Sequence, residues 1–179
     1  VPPSVQPTST RHSRDPIAAA REQWVRHGWD DAADGMALVT SLTRVGQLYT
    51  ERVEAVLRPH DLTFARFEIL RLLAFSRSGA MPMTRLGSLL QVHATSVTSA
   101  VGRLEAQGLV ERLRPERDRR VVLASITDAG RDVVDRATTD LNDGVFATPG
   151  IGAEDVAQMT ALLDLLRRAH GDEVELTSK

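Results

Sequence analysis

The stretch TSVTSAVGRLEAQGLVERLRPERDRRVVLASITDAG, residues 95–130, decides the fold. Val97, Val101 and Leu104 recur at i, i+4 and i+7 in its first third, which is the buried stripe of an amphipathic helix. Gly108 is a natural helix stop. Two β-like runs follow, 109–113 and 121–126, flanking the charged tip Arg114-Pro115-Glu116-Arg117-Asp118-Arg119-Arg120. Just upstream, Thr84 reads as the cap of a brief helix holding Leu86, Leu89 and Leu90. Two short helices joined by a tight turn, then a strand, a charged tip and a returning strand, make a winged helix-turn-helix.

Further out the chain is helical. Asp15-Pro16 starts a short helix to about His27, with Ile17, Ala20 and Trp24 on one face. The stretch from Gly28 to Gly35 breaks it, and a longer helix spans about 35–58, with Leu38, Leu42, Val45, Tyr49, Val53, Val56 and Leu57 at near-helical spacing. Pro59 ends that helix, and Thr63 caps a third one, which holds Phe64, Phe67, Leu70, Leu73 and Phe75. Residues 76–82, rich in Ser, Gly and Pro, read as a loop. Thr127 caps a long helix to about Phe146, and a last helix spans about 153–169. Residues 1–14 and 173–179 read as tails. The fold class is therefore mainly α with a small β-hairpin wing.

Composition narrows the function. The 179 residues contain no cysteine, which removes disulfides, thiolate metal sites, a cysteine nucleophile and thiol redox sensing. No apolar run reaches the ~18 residues of a membrane span, and no basic start followed by an apolar segment reads as a secretory leader, so the expected location is cytoplasmic. His12, His27, His60, His93 and His170 show no metal-type pairing, and no metal or other cofactor is expected. There is no phosphate-binding glycine loop or nucleophile elbow, and the chain is not expected to be an enzyme.

The formal net charge of −2 argues at first sight against a nucleic-acid partner. Segment by segment the sign changes: residues 1–75 are neutral, 76–125 carry +4 and 126–179 carry −6. The one basic segment is the winged helix-turn-helix, and phosphate neutralisation depends on local charge. With its apolar stripe inward, the second helix (about 95–107) turns outward Thr95, Ser96, Ser99, Gly102 and Arg103, with Thr98 alongside. Small hydroxyls allow close approach to phosphates and base edges, and Arg103 reaches a phosphate or a guanine edge. On the wing (about 114–121), Arg117, Arg119 and Arg120 suit a narrow minor groove, with Asp118 orienting one of these guanidinium groups.

These residues carry a family resemblance. Val97-Thr98 through Arg103-Leu104-Glu105, then Gly108-Leu109-Val110, Asp118-Arg119-Arg120 and Ile126-Thr127-Asp128-Ala129-Gly130 resemble the MarR family of bacterial transcriptional regulators, over about residues 33–170. The resemblance implies a homodimer with interleaved terminal helices, a recognition helix in the major groove, a wing in the minor groove, and a pseudo-palindromic double-stranded DNA operator. It also implies a small aromatic or phenolic effector, held between dimerisation helices and winged lobe, where His60, Arg66, Phe67 and Met83 fall by position. The apolar faces of the helices at 35–58, 127–146 and 153–169 exceed what one domain's core needs, in keeping with a dimer. The expected organisation is dimerisation helices at 15–60, the DNA-binding lobe at 61–126 and further dimerisation helices at 127–172. Trp24 and Trp29 either extend the dimer interface or lie on the surface. A repressor reading leads; a winged-helix module for protein–protein association, with only non-specific DNA binding, stays open beside it.

Overall fold

The computed structural model describes residues 15–115 and 120–172. The described residues divide into two compact units, with the boundary between Glu51 and Arg52. Helix α1 is Pro16–Arg26 and α2 is Asp30–Leu57, followed by a 3-10 turn at Arg58–His60. Then come α3 (Phe64–Phe75), β1 (Ala80–Pro82), α4 (Met83–Leu90), α5 (Ala94–Ala106), β2 (Val110–Leu113) and β3 (Leu123–Ile126). Helix α6 (Asp128–Leu141) runs into a π-helical turn at Asn142–Phe146, and α7 is Ala153–Ala169.

In the first unit, Asp15 caps α1 by accepting a hydrogen bond from the Ile17 amide at 3.0 Å, with Pro16 in the first turn. Gly28, at φ 78°, makes the turn into α2. Trp29 closes that corner: Trp24 meets it edge to face at 5.5 Å, and His27 stacks on it at the same distance. Arg21 Nε donates to Asp34 Oδ1 at 2.6 Å. The expected break from Gly28 to Gly35 is much shorter, because α2 already starts at Asp30 and carries Gly35 inside it. A lone helical glycine costs only ~1 kcal/mol, too little to stop a helix of 28 residues with two aspartates in its first turn.

The second unit is built around Leu57, Ile69, Leu70, Leu73, Leu86, Val97, Val101 and Leu104, all 1 % exposed or less. The stripe Val97, Val101 and Leu104 is therefore the buried face of α5. The sheet has three antiparallel strands in the order β1-β3-β2, with Ala80 opposite Ser125 and Val110 opposite Ile126. Strand β1 replaces part of the loop expected at 76–82. Three residues punctuated by Gly79 and Pro82 carry no periodicity, and the partner β3 lies some forty positions away, so only tertiary pairing makes it a strand. Helix α4 consequently starts one residue earlier than its expected cap: Pro82 stands at the cap position and Thr84 lies inside the helix.

Helices α3 and α6 pack together through Arg71. Its Nη2 donates to Val134 O (2.7 Å), Asp135 Oδ1 (2.8 Å) and Thr138 Oγ1 (2.6 Å), while the guanidinium lies 5.2 Å above the Phe75 ring. The start of α6 is tied down as the sequence implies. Thr127 Oγ1 accepts from the Gly130 amide at 3.0 Å and donates to Gly108 O at 2.8 Å. A Cβ on Gly130 would stand 2.2 Å from Leu109 O, a backbone atom that cannot swing aside. Gly130→Ala is expected to cost about 3 kcal/mol and to lower the melting temperature by roughly 10 °C. Calorimetry of the variant checks this; a wild-type transition would show that the approach is not a constraint.

Candidate nucleic-acid interface

Helices α4 and α5 meet through Gln91, which adopts the left-handed conformation at φ 53°. The Val92 amide donates to Gly87 O at 3.2 Å and closes the turn. No side chain caps α5: the amides of Ser96 and Val97 donate to the His93 carbonyl. The exposed side of this helix forms one wall of an open cleft of about 420 Å³, lined by Thr63, Arg66, Thr95, Ser96, Ser99, Ala100 and Arg103. Two guanidinium groups and several hydroxyls thus share one cleft with no carboxylate in its lining.

Four of the residues singled out in the sequence, Thr95, Ser96, Ser99 and Arg103, come together in this cleft. Thr98 does not line it: its Oγ1 donates back to Ala94 O at 2.8 Å, one turn earlier. Arg120 is exposed beside the wing. Arg117, Asp118 and Arg119 lie outside the described residues.

The four residues placed by position in an effector pocket do not converge. His60 Nε2 lies 2.7 Å from Asp140 Oδ2, joining the 3-10 turn to α6. Arg66 faces the cleft beside the recognition helix. Met83 opens α4, its amide donating to Val122 O at 3.0 Å. Phe67 alone lines an apolar cavity, of about 250 Å³, with Phe64, Glu68, Arg71, Leu72, Leu89, Leu90 and Phe146. The side chains diverge because consecutive residues of α3 point to different faces: Arg66 turns to α5 while Phe67 turns inward, 5 % exposed. Burial lifts the Glu68 carboxyl above the usual glutamate range.

One side chain at the root of the hairpin escaped the sequence reading. Arg112, on β2, donates from Nη2 to Thr98 O at 3.0 Å and pairs through Nε with Glu105 at 3.6 Å. It braces strand β2 against helix α5. The available signal was Gly102: a glycine inside a helix marks a close approach, and a Cβ there would stand 3.3 Å from Arg112 Nη2. Among the described residues, no group of three His, Cys, Asp or Glu side chains could hold a metal ion, and no helix is long and apolar enough to cross a membrane.

Comparison with known proteins agrees with this geometry. Residues 62–122 match the sequence model of the MarR family. The crystal structure of Sco5413, a MarR family transcriptional regulator from Streptomyces coelicolor, is 44 % identical, with a TM-score of 0.71, 79 % of this chain covered and 99 % of that one. The homoprotocatechuate degradative operon repressor of Escherichia coli is 29 % identical over 129 residues, 72 % of this chain and 86 % of the repressor. A mutant of E. coli MarR, solved in complex with operator DNA, shares the fold at 24 % identity, with a TM-score of 0.68, 76 % of this chain covered and 98 % of that one. The chain belongs to the MarR family: it is a DNA-binding transcriptional regulator built on a winged helix-turn-helix, not an enzyme.

If Arg112 braces the wing, Arg112→Ala frees both strands at once. Hydrogen exchange should speed up at the amides of β2 and β3 and in the second half of α5, leaving α6 unchanged. Unaltered exchange in β2 would show that the brace has no mechanical role.

Proposed function

We propose that the chain acts as a homodimeric, sequence-specific repressor, located in the cytoplasm with its DNA. Helix α5 enters the major groove, and the wing at about 114–121 enters the adjacent minor groove. The observation that carries this reading is the cleft on α5, where exposed Thr95, Ser96, Ser99 and Arg103 lie on the one segment of net positive charge. Hydroxyls and a guanidinium beside uncapped amides are the donor set a DNA strand requires. The E. coli relative's name, an operon repressor, favours repression over activation.

Dimerisation is supported by apolar surface that the chain leaves open. Leu38, Leu42, Val45 and Leu48 on α2 are exposed, as are Met159, Leu162, Leu163 and Leu165 on α7. Apolar side chains repeated along helices in this way mark an interface to be covered. A second copy covers them most simply, because a twofold pair places equivalent helices against each other and spaces two recognition helices along a pseudo-palindrome.

The effector reading rests on the cavity beside Phe67. Its walls are aromatic and aliphatic, with Glu68 and Arg71 as the polar groups, which suits one aromatic ring with a single polar substituent. The cavity touches α3, α4 and the π-helical turn after α6, so an occupant bears on how α3 meets α6.

Three measurements test the proposal. In light scattering the particle should have twice the 19.6 kDa chain mass; a monomer at micromolar concentration would remove the dimer. In fluorescence anisotropy the protein should prefer the DNA flanking its own gene over random duplex, and Arg103→Ala should weaken that binding roughly tenfold. Equal affinity for random duplex at every salt concentration would favour the protein–protein module instead. Aromatic carboxylates should raise the melting temperature by a few degrees and lower operator affinity; uniformly null shifts would overturn the effector.

A further inference from the structure

We propose that Arg66 is a DNA-phosphate contact, supplied by α3 from outside the helix-turn-helix and the wing. The proposal rests on the DNA-binding reading above and deepens it by adding a contact that no feature of the recognition helix provides. Arg66 and Thr63 form the wall of the cleft opposite α5, so a strand passing the outward face of Ser96, Ser99 and Arg103 lies between the two walls.

The Arg66 guanidinium is held in place without being neutralised. Its Nε lies 3.3 Å from Thr63 Oγ1, and its Nη1 donates to Gln107 Oε1 at 3.1 Å. Gln107 is fixed in turn by two hydrogen bonds from Nε2, to Asp61 Oδ2 at 2.7 Å and to Asp61 O at 3.1 Å. Both direct partners of Arg66 are uncharged, and among the described residues it makes no ion pair and its Nη2 makes no hydrogen bond. Compare Arg71, which spends its charge on Asp135, and Arg112, which spends it on Glu105. A full positive charge thus stands ready on a pre-set side chain, which loses little conformational freedom on binding.

The chemistry of the cleft selects its occupant. Its lining holds two guanidinium groups and short-reach Ser and Thr hydroxyls, but no carboxylate and no large apolar side chain. That set fits a singly charged phosphodiester better than an aromatic effector, which needs apolar walls. Because the cleft is open to solvent, a continuous strand can run through it. The phosphate source is therefore taken as the DNA backbone rather than a free anion. Phosphate contacts fix register on the duplex, so Arg66 sets how deeply α5 enters the groove without reading sequence itself.

The test uses the full-length protein and four forms: wild type, Arg66→Ala, Arg66→Lys and Arg66→Met. Affinity for a selected site and for random duplex is measured from about 50 to about 300 mM salt, with phosphate ethylation interference on the selected site. Arg66→Ala should weaken both duplexes by the same factor, roughly tenfold, and lower the salt slope by about two units per dimer, one per protomer. One ethylation-sensitive phosphate per half-site should disappear. Arg66→Lys should keep the slope, because the ammonium keeps the charge. Arg66→Met preserves the stem and serves if the alanine variant melts early. Wild-type slope and footprint in the alanine and methionine variants would overturn the proposal even with normal DNA binding. Failure of the wild type to bind any duplex would overturn it together with the reading beneath it. Stabilisation by inorganic phosphate that needs Arg66, with DNA affinity unchanged in its absence, would identify an anion site unrelated to DNA and overturn it too.

Discussion

The second unit depends on a contact without a side chain on one of its two members: the approach of α6 to the carbonyl of Leu109 at Gly130. Thr127 organises the same place. Its amide donates to Leu109 O at 3.1 Å, its hydroxyl donates to Gly108 O, and the same hydroxyl oxygen accepts from the Gly130 amide. The end of α5, the root of β2, the end of β3 and the first turn of α6 therefore meet at one joint. Gly108 reaches this junction at φ 71°, a conformation that suits glycine. The orientation of α5 relative to β2 and β3 follows from this joint, and Arg112 reinforces it further out by tying β2 to Thr98 and Glu105.

Much of this was legible because it is local. Thr63 and Thr127 are caps, and each accepts from an amide three residues on, as the sequence pattern requires. Val97, Val101 and Leu104 face inward because a 3.6-residue period leaves them no other side. What escaped the sequence is non-local. Strand β1 exists only through its pairing with β3, and Arg66 belongs to the cleft only because α3 packs across α5. Position along the chain placed Arg66 beside Phe67, whereas helical geometry sends the two to opposite tasks. Thr98 was legible as a surface hydroxyl, but its bond to Ala94 O leaves it outside the cleft lining.

The arginines show how one residue type divides its labour by its partners. Arg71 is largely enclosed between α3 and α6 and hydrogen-bonds to a carbonyl, a carboxylate and a hydroxyl. Arg112 shares a carboxylate and a helix carbonyl at the wing root. Arg66 is fixed by neutral groups alone, and Arg103 stands exposed in the cleft. Two hold the lobe together and two leave their charge facing the cleft, so a chain of net negative charge still carries a basic face.

The brevity of β1 has a consequence for the molecule in a crowded cell. A three-stranded sheet has two open edges, and each is a template on which another chain can add a strand. Strand β1 is only three residues long and ends in Pro82, which has no amide hydrogen to offer. The opposite edge, β2, carries Glu111 and Arg112, both exposed. A short, proline-ended border on one side and a charged border on the other discourage sheet extension, and so help keep the lobe from polymerising edge to edge.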